Sequence, residues 1–450
     1  MTSIKNVIDG GYCVGCGNCA FLTKGKMKIN EYGEYIPDIE LKNNYKDEID
    51  RSCPSLHPEI NEYEISNKLY SKNCSYNNQL GYYNQLYAAH VLEGDYRKNG
   101  SSGGMGTWIL LELLKQKLID GVILVAKKEK RQDEEPFFEY KISKNFDEIK
   151  NASKSKYHVV EFSKILNLIQ NKNEKYAFIG IPCMCKSIRR IQLINKEFSL
   201  KIPYIISLIC GHLKSINWTL SLAWGAGIEP YKLNTLDYRT KSKDINPRSY
   251  ILKLQLKDNK TKFVNSKKVA GGKFNSGAMM LNACNYCDDV VGETSDLTIG
   301  DAWLDKYKKE NMGKNLVITR NSTINKIIKD AEKEKRISLD QISVKEAIES
   351  QIGCFNQRRQ GLSYRLKIKE EKNEWVPKKR ISSNDFKPNI LRKLIFQTRM
   401  EISNKSRKLF VKSLKQNNYE IYRKTLSKIL FKLRFLEVLN RIIVKVAKKL

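Results

Sequence analysis

Between residues 85 and 301, short apolar runs alternate with longer stretches whose apolar positions recur every three or four residues. Gln85 to Leu92 (QLYAAHVL) predicts a strand, and Thr107 to Leu118 (TWILLELLKQKL) an apolar-rich helix. Buried strands are predicted over Ile119 to Val125, Lys175 to Ile181 (with a helix following), Ile202 to Cys210 and the short Leu297 to Asp301. Strands separated by helices imply an α/β fold with a mostly parallel sheet, and the alternation from Tyr250 to Val264 mixes antiparallel strands into it. The first 75 residues read differently, with short apolar pairs and many turns. From Asn389 to Leu450 the period is helical again, enough for two or three helices. In the last of these, Leu426, Ile429, Leu430, Leu433, Leu436, Leu439, Ile443 and Val446 recur at helical spacing. The pattern sets a turn-rich module (1–75) and a helical tail (376–450) apart from the α/β region between them.

The turn-rich module carries the sharpest chemistry. Cys13, Cys16 and Cys19 stand at two-residue gaps, and a distant Cys53 is followed by Pro54. This is the ligand spacing of a ferredoxin-type 4Fe–4S cluster. Gly15, Gly17 and Asn18 leave backbone amides free to donate to sulfur, and Pro54 holds Cys53 extended. Zinc sites more often pair two CxxC units or include His, not three thiolates in seven residues. Disulfides fit worse, because 11 cysteines cannot all pair and neighbours so close cannot bridge.

Composition changes the picture in two ways. A hydrophobic content of 41% fits globular domains, and no run approaches the length of a membrane span. Met1 to Tyr12 has no apolar run for a signal peptide, so the free cysteines point to a reducing cytoplasm. The net charge of +32 is concentrated: residues 376–450 hold 21 Lys and Arg against four acids, a net +17. In the last predicted helix Lys428, Lys432, Arg434, Arg441, Lys445, Lys448 and Lys449 lie among the apolar positions. One apolar and one cationic face suit an anionic membrane surface; packing on the protein itself or a partner is the plainer reading. Nucleic acid fits less well, because aromatics do not interleave with the charges.

A second set of cysteines lies in the α/β region: Cys183, Cys185, Cys210 and the pair Cys284 and Cys287. Cys183 and Cys210 fall at the ends of predicted parallel strands, where open sheets form their sites. Four sulfurs can converge there, or Cys183 and Cys210 are ordinary buried thiols and the CxxC is a redox pair. Cys185 looks spare, and Cys74 and Cys354 look structural. The loop Ser101-Ser102-Gly103-Gly104-Met105-Gly106 opens a helix and suits a phosphate, although a tight turn explains it equally. It is neither a Walker loop nor a dinucleotide fingerprint. His90, His158 and His212 are scattered, and Asp288, Asp289, Asp296 and Asp301 serve as turn and cap residues as readily as catalysts. No nucleophile–base triad is visible, and no catalytic residue is assigned.

Taken in order, five segments resemble the coenzyme F420 hydrogenase/dehydrogenase β-subunit family, in which F420 names a deazaflavin. They are Cys13 to Cys53, Ser101 to Gly104, Lys154-Ser155-Lys156-Tyr157, Gly180-Ile181-Pro182-Cys183, and Cys284 to Asp288 running into Asp296 to Trp303. The resemblance implies a flavin, FAD or another, held by Ser101, Ser102, Gly103, Gly104, Ser155, Lys156 and Tyr157. It also implies a second 4Fe–4S cluster on Cys183, Cys210, Cys284 and Cys287, and divides the α/β region into a flavin-binding part (76–165) and a second-cluster part (166–350). Met184-Cys185 departs from the family pattern, where a Gln commonly follows the first Cys. The family implies an oxidoreductase that passes electrons through clusters to a flavin, which exchanges a hydride with a substrate or deazaflavin. A redox partner protein or small-molecule donor and acceptor is implied as well. Some relatives occur among surface-polysaccharide biosynthesis enzymes, and the Lys/Asn-rich composition and basic tail resemble those. An electron-transfer subunit without its own substrate, and a basic nucleic-acid-binding protein with a structural cluster, are the alternatives.

Overall fold

In a computed structural model, residues 3–39, 46–129, 131–132, 135–241, 250–307 and 309–447 are described. The centre is an eight-stranded sheet: β1 (Gln85–Val91), β2 (Gly121–Lys127), β3 (Phe138–Ser143), β4 (Tyr176–Gly180), β5 (Tyr204–Leu208), β6 (Leu297–Asp301), β7 (Asn315–Thr319) and β8 (Ile337–Gln341), in the order β8-β1-β7-β6-β5-β4-β2-β3. The class is the mixed α/β expected. Parallel pairing is confined to the four central strands β2, β4, β5 and β6. The remaining pairs are antiparallel. The reason is local: the described residues of the connection 302–314 form only a short 3₁₀ turn at Asp305–Tyr307, so β7 returns beside β6 without a helical crossover.

Strand residues alternate between two cores, as the pleat requires. Val122 and Leu124 of β2, with Ala177 and Ile206, face the helix α1 (Met105–Lys115), whose Trp108, Ile109 and Leu111 are fully buried. Ile123, Phe178 and Ile205 point to the other face, against Met184, Ile188 and Ile191 of α2 (Pro182–Ile194). Helix α3 (Ile352–Arg358) caps the β1/β7 side of that face through Phe355. The alternation from 250 onward becomes Ile251–Leu256 and Thr261–Asn265, joined to Leu233–Thr240 in a separate three-stranded antiparallel sheet.

Helix α2 also anchors the N-terminal module. Arg190, 1% exposed, donates to the carbonyls of Arg51 (3.0 Å), Cys53 (2.5 Å), Leu56 (2.7 Å), His57 (2.9 Å) and Ile60 (2.7 Å). These are the carbonyls of one loop, and a guanidinium fork is the side chain that can satisfy five acceptors at once. Beside it Lys186 pairs with Glu62 at 3.0 Å, and Arg189 with Asp296 at 2.9 Å, all buried.

The tail forms two helices, α4 (Ile390–Lys415) and α5 (Tyr419–Ala447), packed against each other and the sheet domain. Ile395, Ile402, Phe410, Tyr422, Leu426, Ile429, Leu433 and Leu436 belong to the main core. The apolar face singled out by the helical period is therefore a packing face as far as Leu436, while Leu439, Ile443 and Val446 are exposed. Lys448, Lys449 and the side chain of Lys445 lie outside the described residues. Among those residues no helix is long and apolar enough to cross a membrane.

Arg190→Met should destabilise the fold by about 3 kcal/mol, since it strands the buried carbonyls of Cys53 and Leu56. Urea unfolding measures this; an unchanged midpoint would mean that the loop is held by something else.

Candidate functional site

The loop of residues 13–19 gathers three thiols because two of its turns need glycine. Gly17, at φ 93°, precedes the short helix Asn18–Leu22, and a Cβ there would stand 2.7 Å from Glu161 Oε2 and 3.0 Å from the Ser163 backbone nitrogen. The Asn18 side-chain amide donates to the carbonyls of Ser52 (2.9 Å) and Ser187 (3.0 Å), tying the loop to the Cys53 segment and to α2. Gly15 N donates to Cys13 Sγ at 3.4 Å. Cys16, Cys19 and Cys53 are each under 10% exposed. Burial, and then the neighbouring thiols, push Cys13 and Cys19 up, and Cys53 rises to about 11. Such a group stays protonated at neutral pH until a cation displaces the protons.

The second set converges as well. Cys183 heads α2, Cys210 follows β5, and Cys284 and Cys287 bracket the end of the helix Asn282–Asn285. Burial pushes Cys183 up, with Cys210, Cys287 and Cys284 adding repulsion in that order. Leu213 N donates to Cys284 Sγ at 3.2 Å. Arg358, 3% exposed, donates from Nη2 to the Gly211 carbonyl (2.9 Å) and lies 3.9 Å from Cys210 Sγ. Its Nε and Nη1 have no hydrogen-bond partner, and its charge favours the thiolates of all four cysteines. A buried guanidinium with spare donors beside four thiols is arranged for an anionic group.

Two of the other three cysteines have backbone partners of their own. Cys185 donates to the Ile206 carbonyl at 3.7 Å, away from both sets, and burial raises it to about 12. Cys74 lies against the Arg320 carbonyl at 3.4 Å. Cys354 is brought next to Cys210, a proximity that sequence separation hides.

The two sets flank one helix. Ser187 sits one turn after Cys183, donates to its carbonyl at 2.7 Å, and reaches the thiol of Cys16 on its other side.

Cys210 opens onto a cavity of about 790 Å³, whose wall also includes Ser101, Ser102, Gly104, Ser155, Lys156 and Tyr157. Ser101 Oγ accepts from Ser155 N (2.9 Å) and Ser155 Oγ (3.0 Å), which joins the two segments that the sequence sets 54 positions apart. Gly103 is not on the wall. It sits where a Cβ would meet the Ala89 carbonyl at 2.5 Å and Asn315 Oδ1 at 2.8 Å, so it allows the loop to lie against β1 and β7. The Met105 amide is taken by Asn315 Oδ1 at 3.1 Å, leaving Gly106 and Thr107 as the helix-start residues on the wall. Among the described residues, six cationic side chains, Lys154, Lys156, Arg239, Lys267, Lys273 and Arg399, line the cavity against two acids, Asp301 and Glu349. Burial lowers Lys156 to about 7. Arg239 pairs with Asp301 at 2.8 Å and keeps Nη2 without a partner.

Of the histidines, His158 and His212 line the cavity and His90 does not. Burial holds His158 down to about 4 and His212 well below its usual range, so both are neutral. Of the four aspartates singled out in the sequence, Asp301 reaches the cavity; Asp288 and Asp296 form buried ion pairs with Arg380 and Arg189, and Asp289 accepts from the backbone of its own turn. Arg239, Arg358 and Cys354 carry no signal in the sequence. Each is a lone residue on an unremarkable segment, placed at the site by the packing of the three-stranded sheet for Arg239 and of α3 for Arg358 and Cys354.

Residues 86–167 match the family model described as coenzyme F420 hydrogenase/dehydrogenase, beta subunit N-term, and residues 173–345 match the companion model for the C terminus of the same beta subunit. Three curated proteins of Methanocaldococcus jannaschii are similar. An uncharacterized protein is 26% identical over 267 residues, 58% of this chain and 67% of that protein. A coenzyme F420-dependent sulfite reductase is 25% identical over 222 residues, 46% of this chain but 32% of its own length. The beta subunit of an F420-dependent formate dehydrogenase is 26% identical over 259 residues, 56% and 62% of the two chains. A chain from the F420-reducing NiFe hydrogenase complex of Methanosarcina barkeri shares the fold, with TM-score 0.50 and 16% identity over 67% of this chain and 98% of that one. The two family models together span more than half of the sequence, and the chain belongs to the coenzyme F420 hydrogenase/dehydrogenase β-subunit family.

Proposed function

We propose that the protein is an iron–sulfur flavoprotein oxidoreductase that passes electrons between a redox partner and a small-molecule acceptor. One observation carries this reading: Cys210 of the second cysteine set lines a cationic cavity whose wall also includes both segments assigned to flavin binding. When bound, iron–sulfur clusters supply single-electron steps and a flavin exchanges single electrons for a hydride.

The residues fit these groups. Cys13, Cys16, Cys19 and Cys53 hold one 4Fe–4S cluster, and Cys183, Cys210, Cys284 and Cys287 the second. Three thiolates within seven residues, with a distant Cys followed by Pro, suit a cluster better than zinc. Arg358 offsets the negative charge of the second set. The cavity is of the size that cofactors occupy. Ser101, Ser102, Ser155 and Lys156 on the cavity wall would bind a flavin's phosphates, a reading supported by Arg239 Nη2 as a spare donor. Tyr157, packed on Phe274 and Tyr238 at 4.7 and 5.1 Å, gives one wall a rigid aromatic face.

The acceptor is a deazaflavin or another hydride acceptor. The surface-polysaccharide setting belongs to the same proposal; its support is the basic tail, which lies beyond the residues matched by either family model.

Protein purified without oxygen should contain about eight iron atoms and one flavin, read by iron assay and mass spectrometry. Cys13→Ala and Cys210→Ala should each remove about half of the iron, and Cys185→Ala none. Eight iron atoms without flavin would make the chain an electron carrier instead, and salt-sensitive binding to DNA or RNA would favour the nucleic-acid reading.

Lys156 gives a pH test. In the empty cavity it is charged below about pH 7 and neutral above it. A phosphate beside it retains the proton, so FAD affinity should fall as pH rises from about 6 to about 9. Lys156→Met should weaken binding at low pH and flatten the profile, as measured by quenching of flavin fluorescence. A slope that persists in the variant would remove Lys156 from the phosphate site.

A further inference from the structure

Helix α5 carries two apolar faces. One, formed by Tyr422, Leu426, Ile429, Leu433 and Leu436, is buried in the protein's own core. The other lies on the opposite side: Phe431, Phe435, Val438, Ile442 and Val446 follow at intervals of four, three, four and four residues. That spacing makes one stripe at 3.6 residues per turn, about 22 Å long. Phe431 is 74% exposed, Phe435 61%, Ile442 54% and Val446 52%.

The surroundings of this stripe are one-signed. Lys424, Lys428, Lys432, Arg434 and Arg441 are all exposed around it. Beyond Glu420 the only acid of α5 is Glu437, and it turns inward to Arg399 (2.8 Å) and Lys273 (3.7 Å). From Val438 to Val446 no described side chain is buried, so the end of the helix projects from the body. Ile442, Ile443, Val444 and Val446 are β-branched and favour a solvated helix poorly. Something must cover them.

We infer that the stripe seats the protein on an anionic lipid surface. Apolar side chains enter the headgroup–acyl boundary while flanking cations meet lipid phosphates. A second copy of the chain is the poorer occupant, because antiparallel or parallel pairing would set two cationic margins against each other. Nucleic acid would satisfy the cations and leave the Phe431/Phe435 face in water. The inference stands apart from the clusters and the flavin, since it uses no residue of either.

The test is sedimentation of the full chain with vesicles of phosphatidylcholine alone or with added phosphatidylglycerol. Binding should be at least about tenfold tighter to the anionic vesicles and should weaken as salt rises. The double variant Phe431→Ser/Phe435→Ser should lose about tenfold in vesicle binding with an unchanged thermal midpoint, because both rings are solvated in the free protein. Lys428→Gln with Lys432→Gln should weaken binding to the anionic vesicles alone. Equal partition of the Ser variant, or no binding to anionic vesicles, overturns the inference. So does a lipid-free dimer in ultracentrifugation that the Ser variant abolishes, which would assign the stripe to a second copy.

Discussion

The architecture turns on Arg190. Its buried guanidinium is the fork on which the Cys53 loop hangs, and Cys183 stands in the first turn of its helix. One rigid element thus fixes the position of both cysteine sets relative to each other and to the sheet. A helix rises about 5.4 Å per turn, so Cys183 and the Ser187 that touches Cys16 are one turn apart along it. Neither set can drift from the other without breaking bonds that water cannot replace.

Burying so many cations is costly in isolation. The chain meets the cost in two ways: backbone carbonyls accept from the guanidinium groups, and thiols supply latent negative charge. Arg358, Arg359 and Arg365 all come from residues 352–371 and converge on the second set. Arg358 lies beside Cys210, Arg359 donates to the Asp288 carbonyl, and Arg365 donates to the Asn285 carbonyl at 2.6 Å. These arginines follow the residues matched by the family models, so the second site is closed by a segment outside the matched core.

How much is legible in the sequence follows from which constraints are local. The Cys13–Cys19 spacing is a property of one loop and needs no fold to be read. The central strands announce themselves because both of their faces are buried, making continuous apolar runs. Strands β3, β7 and β8 escape the pattern: FEYKIS and ISLDQ alternate polar residues at the sheet edges, and NLVIT is short. The second cysteine set is legible only in part, since Cys183, Cys210 and Cys284 meet through tertiary packing. In the tail, periodicity finds a face correctly but cannot say what it faces. Leu426 to Leu436 pack inward, and the exposed stripe through Phe431 and Phe435 does not stand out from the apolar background of the helix.

The central claim is that one helix holds two iron–sulfur sites close enough to relay electrons. Electron paramagnetic resonance of the fully reduced protein tests it most directly. Two neighbouring reduced clusters should show broadened, spin-coupled signals, and Cys13→Ala should collapse them to one simple spectrum. Two sharp, independent signals, or a single cluster signal that Cys13→Ala leaves unchanged, would contradict the account.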